Sequence, residues 1–385
     1  MKKTLFVLVA AVAAMTSCVK SEVIDVAESR VIEFDPFVGK HTRTDDTGNT
    51  GEGTTDPGNQ TPGATIIGTR SELKSFYVFG NIDGQTDPVF NNEAVNYVGD
   101  AQNGHYEYSG TPKVWLSGHN YYFAAVSDGN TKYDNVTYTY KGGSEKNTLT
   151  ISNYEVGLKD LVADIADPIN TSGSMVGKET VAFDFRHMLT RVRFVINNDV
   201  STESSVVVIE NLRFDGVKQS TCEYTITQSG NNYTHDISWS NSQTSDTYEY
   251  TPANIPAPTA ETLSSGKYYV TPGGSKQFGH FVIPQSSGRK IWFTLKTYTL
   301  QATASGGTEY KLTDTKDCSY DLNYDNDPTD AYDYMWQPGK VYQYAIKVAG
   351  TTSYIRFEAT AQGWDWDING DGSQNSSDDI QLGTN

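Results

Sequence analysis

Near the C-terminus, Asp367, Asn369, Asp371, Ser373 and Asp378 stand at positions 1, 3, 5, 7 and 12 of a twelve-residue stretch, with Gly372 at position 6. In an EF-hand-type loop this spacing converges alternate oxygens on Ca²⁺, and the glycine permits the sharp turn. Three departures weaken the match: Gln374 takes an apolar position, Asp378 is shorter than the usual Glu, and strand-like sequence precedes the loop. Calcium binding and a solvated acidic tail both fit these residues. The six histidines, His41, His105, His119, His187, His235 and His280, show neither HExxH nor clustered spacing, which argues against zinc. His187 lies in an alternating apolar segment and is expected to be a core or sheet-face histidine with a satisfied hydrogen bond. No G-x-S-x-G elbow occurs, and the GGS segments at Gly142 and Gly273 read as hairpin turns. Two acids about 5–9 Å apart suffice for a glycosidase, but among 47 acids no pair is singled out, so no catalytic residues and no enzyme activity are expected. Trp115, Tyr121, Tyr122, Trp364 and Trp366 supply either a stacking platform for sugar rings or core and rim packing; alternation favours the latter.

The N-terminus carries a different chemistry. Lys2 and Lys3 precede an apolar run from Leu5 to Met15, and Thr16 and Ser17 stand before Cys18. This is the pattern of a secretion signal, and 11 apolar residues are too few for a span that needs about 20. A small residue before a lone cysteine resembles the lipobox of bacterial lipoproteins, in which the thiol is acylated; Met15, where Leu is commoner, departs from it. Beyond Cys18 only Cys222 and Cys318 remain, which is no disulfide framework, although they are free to pair.

Positioning any of these groups falls to strands. Aromatics reach 12% while charged residues are 20%, enough to bury a core without abundant Leu and Ala, and 34 Gly with many Thr and Tyr favour strands and turns. The formal charge of -18 would repel a phosphate backbone, so nucleic acid is not an expected partner. Residues 1–17 are read as the signal and 18–43 as an arm, in which VIEFDPFV alternates Ile32, Phe34 and Val38 with other side chains, as an edge strand does. Residues 44–64 hold four acids, no Lys or Arg and no large apolar side chain, and are expected to be a disordered acidic linker. Short strands at roughly ten-residue spacing then predict two tandem β-sandwiches, 65–176 and 177–366, followed by the polar tail 367–385. Within them LKDLVADIADP reads as a helical turn stopped by Pro168, and VAFDFRHMLTRVRFVINN as one long strand with a bend.

In order and spacing, the lipoprotein signal, the arm ending in GKHTR, ELKSFYVFG, DLVADIADP, VAFDFRHMLTRVRFVINN, HFVIPQ, WQPGKVYQYAIKV and IRFEATAQGWD resemble the fimbrillin family of Bacteroidales. The likeness runs from Cys18 to about Trp366. It implies two transthyretin-like sandwich domains in a surface fimbrium subunit, exported as a lipoprotein and anchored in the outer membrane through Cys18. It further implies cleavage by a trypsin-like maturation protease, with Arg43 the first candidate and Arg70 and Lys40 alternatives. Loss of the arm would free a groove for a strand from another fimbrial subunit, with Ile32, Phe34 and Val38 the plug that fills it beforehand. A host protein or glycan receptor is the implied partner in adhesion. The tail departs from the family: with only Ile368, Ile380 and Leu382 apolar after Trp366 it is a poor strand to donate, which favours a tip, adhesin or accessory subunit over a stem subunit. A monomeric glycan-binding outer-membrane lipoprotein is the alternative.

Overall fold

A computed structural model of the chain describes residues 31–38, 67, 72–100, 104–129, 132–141, 146–172, 180–199, 204–230, 232–240, 244–265, 268–285, 290–321, 336–349 and 354–363. The first ten strands are β1 Glu33–Val38, β2 Ser75–Ile82, β3 Phe90–Val98, β4 His105–Tyr108, β5 Asn120–Ser127, β6 Val136–Thr139, β7 Asn147–Glu155, β8 Val162–Ile165, β9 Ile169–Asn170 and β10 Thr180–His187. They are followed by β11 Thr190–Asn198, β12 Ser205–Ser229, β13 Asn232–Trp239, β14 Thr244–Glu249, the single-turn helix α1 Ala260–Ser265 and β15 Tyr269–Val270. The chain continues through β16 Ser275–Val282, β17 Lys290–Ala302, β18 Thr308–Asp321, β19 Lys340–Ala349 and β20 Tyr354–Gly363. The all-β expectation holds, with sheets packed face to face.

Three sheets result. The first runs β1-β10-β8-β5-β2-β3-β4, with β9 alongside β5; every pairing in it is antiparallel except that of β1 with β10. The second is β16-β11-β19-β20, with β11 parallel to β19. The third is β18-β17-β12-β7-β6, with β13, β14 and β15 also on β12.

Strand β12 is the common member. Its first part pairs with β17 and β15, and its last part with β7 and β13, so one strand of 25 residues serves several cores, including a small one of Val206 and Val208 with Ile255, Tyr269 and Tyr298. A bulge between Glu210 and Arg213, with Asn211 at φ 51°, lets so long a strand bend. One core, around Phe194, Phe214, Trp336 and Tyr344, lies between the second sheet and the first part of β12. Another, around Phe79, Leu149, Leu161 and Tyr224, fills the space between the first sheet and the last part of β12. A third, around Phe34, Phe76, Phe123 and Phe183, lies on the opposite face of the first sheet.

Burial on both faces explains two departures from the sequence reading. LKDLVADIADP contains strand β8, not a helical turn: Leu161 to Ala166 are all buried, and a strand covered on both sides loses the alternation that marks a half-buried one. VAFDFRHMLTRVRFVINN is two strands in two sheets, β10 in the first and β11 in the second. The chain crosses at Met188 and Leu189, both fully buried, and the Met188 amide donates to the Leu161 carbonyl at 2.8 Å. Strand pairing also crosses the boundary drawn at Gly177, a residue outside the described ones. Strand β10 joins the first sheet, and the last part of β12 with β13 joins β7.

Candidate strand-binding groove

The arm strand expected from VIEFDPFV is present as β1, and its alternation is the alternation of the sequence. Ile32, Phe34 and Pro36 are buried, whereas Val31, Glu33 and Asp35 are exposed. Ile32 is 0% and Phe34 5% exposed. Phe34 is ringed by aromatics: Phe183 stacks on it at 5.9 Å, and Phe76, Phe90, Tyr108 and Phe123 meet it edge-on at 5.2–6.1 Å. Edge-on and offset arrangements suit the ring quadrupole and add about 0.5–1.5 kcal/mol per pair beyond burial.

The backbone of β1 is held along one edge. It pairs in parallel with β10 in the register Glu33 with Thr180 through Val38 with Phe185. On its other side, β1 meets the loop after β4 at one point, an antiparallel bridge of Val31 with Val114, where the Ile32 amide donates to the Lys113 carbonyl at 2.8 Å. Beyond the bridge, a groove of about 630 Å³ opens between β1 and β4, lined by Ile32, Glu33, Phe34, Asp35, His105, Tyr106, Glu107, Tyr108, Pro112 and Thr180.

The wall of the groove is polar and acidic. His105 Nε2 lies 2.6 Å from Glu107 Oε1 on the exposed face of β4. The Tyr108 hydroxyl accepts the Lys113 amide at 2.9 Å. Burial raises the Tyr108 phenol above its ordinary range, the Lys113 amide offsets part of this, and the carboxylates of Glu93 and Glu33 push it further up.

Behind the groove, β10 is tied to the third sheet by a charged cluster. Arg186 Nη1 donates to Asp164 Oδ1 at 2.9 Å and to the Tyr224 hydroxyl, and lies 3.0 Å from His235 Nδ1. The Tyr224 hydroxyl donates to the same Asp164 oxygen at 2.9 Å. Burial raises Asp164 to about 7 against the pull of Arg186, the Asp184 amide and Tyr224. Burial and then the Arg186 charge hold His235 down at about 4. His187 follows the sequence expectation: it is buried, with Nδ1 2.8 Å from Asp160 Oδ2.

Of the residues singled out in the sequence, Ile32 and Phe34 come together in one core, and the backbone of Val38 pairs with Phe185. Cys18, Lys40, Arg43, Arg70 and the tail with Asp367, Asn369, Asp371, Ser373 and Asp378 lie outside the described residues. Among the described residues no sugar platform is assembled: Trp115, Tyr121 and Tyr122 are at most 8% exposed, and Trp115 packs edge-on against Tyr121 at 4.6 Å inside the third core. Trp364 and Trp366 lie outside the described residues. Cys222 and Cys318 are free thiols, the first buried in β12 and the second half-buried in β18. Strand β4, whose HYEY segment forms one wall of the groove, was not anticipated. Its alternation is too short to stand out, and the nearby turn at Gly110 was the available signal.

A family model described as fimbrillin-like matches residues 74–364. The chain belongs to the fimbrillin-like family. Among solved structures, this fimbrillin-like chain is similar to a fimbrial protein from Bacteroides vulgatus, at 14% identity and a TM-score of 0.50, over 77% of this chain and 96% of that one. A candidate cell adhesion protein from Bacteroides uniformis is also 14% identical, with a TM-score of 0.41 over 76% of this chain and 91% of that one. At such identity the likeness concerns the fold. No curated protein sequence is significantly similar to this one.

Proposed function

We propose that this fimbrillin-like chain is a surface fimbrial subunit, acting in adhesion, whose arm strand occupies a site meant for a strand from another subunit. The observation that carries the reading is the seating of β1. It is an edge strand held by one ladder to β10, yet its Ile32 and Phe34 complete the core of the first sheet. Removing such a strand leaves a row of unpaired backbone groups on β10 and an open aromatic pocket. A supplied strand with apolar residues at alternate positions satisfies both. Family membership and the fold shared with a fimbrial protein support the same reading.

In this account the chain travels as a lipoprotein through Cys18 to the outer membrane, and a trypsin-like protease cuts after Arg43, with Arg70 as the alternative. The acidic tail, poor in apolar residues, suits a tip, adhesin or accessory subunit that receives a strand and passes none on. A host protein or glycan is then the receptor.

The test is complementation in trans. A chain beginning at Thr44 should melt at a lower temperature than the full chain, and a synthetic peptide of residues 31–38 should restore the difference. The same peptide carrying Ile32→Asp and Phe34→Asp should not. Equal melting with and without the arm would remove the plug from the account.

A further inference from the structure

Two different partners hold the two ends of β10. Glu33 through Val38 of β1 ladder with Thr180 through Phe185, whereas β8 ladders with Arg186 and His187. When β1 leaves, Thr180 through Phe185 lose that ladder, and this stretch is the edge that an incoming strand must find extended. Val181, Phe183 and Phe185 are buried in the third core, where Phe183 meets Phe76 at 5.8 Å. Apolar contacts of this kind are non-directional and do not by themselves fix the line of the backbone.

Where the β8 ladder ends, a side chain takes over from the backbone. The Asp184 amide donates to Asp164 Oδ2 at 2.8 Å. Asp164 Oδ1 accepts Arg186 Nη1 at 2.9 Å and the Tyr224 hydroxyl at 2.9 Å. Three donors thus converge on a carboxylate that is 3% exposed, which is how a buried charge is accommodated. Two of the donors, the Asp184 amide and the Arg186 guanidinium, lie two residues apart on β10, so the carboxylate grips a length of that strand. The third comes from β12, and the Arg186 guanidinium stands over the Tyr224 ring, 5.9 Å from its centroid. Both anchors are fixed independently: Asp164 pairs with Ala125 of β5, and Tyr224 with Leu149 of β7 and Ile237 of β13. None of these pairings involves β1.

We infer that Asp164 is a positioning residue for strand acceptance: with Arg186 and Tyr224 it clamps β10 to β8 and β12, so that β10 keeps its extended line and offers an intact edge when β1 leaves. The inference rests on the strand-exchange reading and names the side chain that prepares the acceptor. Without the clamp, β10 would be released from the sheet together with the arm, and an incoming strand would have to order it again before pairing.

The experiment uses the full chain carrying Ile32→Asp and Phe34→Asp, so that its own arm cannot seat, and a labelled peptide of residues 31–38. Fluorescence anisotropy well below the melting temperature should show saturable binding. Adding Asp164→Ala should weaken the peptide at least about tenfold, because only a small fraction of the chains then presents β10 in the accepting form. Tyr224→Phe, which removes one donor, should weaken it about fivefold. Ile346→Ala, a cavity in the core of the second sheet, should lower the melting temperature and leave peptide affinity unchanged, which separates positioning from stability. A second measurement keeps the native arm and decides the matter if the arm variant does not fold: residue-resolved hydrogen exchange on the full chain. The Asp184 amide should exchange at least about tenfold more slowly than the amides of residues 31–38, because its bond to Asp164 survives opening of the arm. With Asp164→Ala the two rates should converge. Equal peptide affinity with and without Asp164→Ala, or an Asp184 amide that opens together with the arm in the parent chain, overturns the inference and leaves strand exchange standing. Failure of the peptide to bind the folded arm variant removes strand exchange itself, and the role of Asp164 with it.

Discussion

Phe34 is the side chain on which the seating of β1 depends most, since its ring touches five other aromatic rings. Phe34→Ala removes those contacts and leaves a cavity, so chemical denaturation of the full chain should show a loss of about 3–5 kcal/mol. Asp35→Ala, on the exposed face of the same strand, should stay within about 0.5 kcal/mol. A loss for Phe34→Ala no larger than for Asp35→Ala would mean that the pocket closes without its plug. Histidines set the response to acid. His235 and His280 are both held down at about 4, mainly by burial, so each contributes stability that is present above pH 6.5 and lost as pH falls toward 4. Asp164, raised to about 7, has the opposite sign: its contribution is complete below about pH 4 and is lost as pH rises through 7. In His235→Gln with His280→Gln the Asp164 contribution stands unopposed by these two groups. Relative to the parent chain, the melting temperature of this variant should therefore rise on going from pH 7 to pH 5. Identical pH slopes in the two proteins would contradict the assignment. The alternation of Ile32 and Phe34 was legible in sequence because β1 has one buried and one exposed face. The Asp164–Arg186–Tyr224–His235 cluster was not, since its members come from β8, β10, β12 and β13 and meet only through the packing of two sheets.

At the scale of the element, β1 is a strand that the sheet holds by a single ladder. Glu33 and Thr180 are register partners and both are exposed, which makes them a site for a staple. Neighbouring strands lie at a spacing compatible with a disulfide. Glu33→Cys with Thr180→Cys should, when oxidised, keep the arm attached after proteolysis between β1 and β2 and block any strand exchange until a reductant is added; mass spectrometry under non-reducing conditions reads this directly. Release of the arm from the oxidised protein would show that β1 and β10 are not neighbours. Legibility differed among strands for a physical reason. Strands with one wet face, such as β10 and β17, announce themselves by period two. Strand β8 is covered on both faces, so its buried run from Leu161 to Ala166, with Asp164 inside it, shows no alternation and resembles a helical turn when it ends at a proline. In the sequence, strand β12 shows as two separate apolar pieces, SVVVIENLRFDG and CEYTIT. Its bulges at Glu210–Arg213 and Val217–Gln219 shift the alternation twice along one strand. Among the described residues, strands β13 and β18 have no fully buried residue; Tyr233, Ile237 and Trp239 on one face of β13 and Cys318 and Tyr320 of β18 are only half-buried against the cores, and the two strands are held in place by pairing with β12 and β17.

Across the whole molecule, two sheets share β12 as their partner, and β10 passes directly into β11 at a fully buried crossing. The core completed by β1 sits on the far face of the first sheet, away from β12. Withdrawing the arm therefore disturbs that core and leaves the cores along β12 in place. Such a division lets a strand leave one edge while the rest of the molecule remains folded, which is what strand exchange requires. The most direct measurement is limited trypsin digestion of the folded protein, followed by intact mass, N-terminal sequencing and size-exclusion chromatography with light scattering. The account expects a cut after Arg43, release of the segment containing β1, and a folded product that associates with a strand-donating partner while remaining monomeric alone. Resistance at Arg43, or a cut after which β1 stays bound and no partner strand can enter, would contradict it.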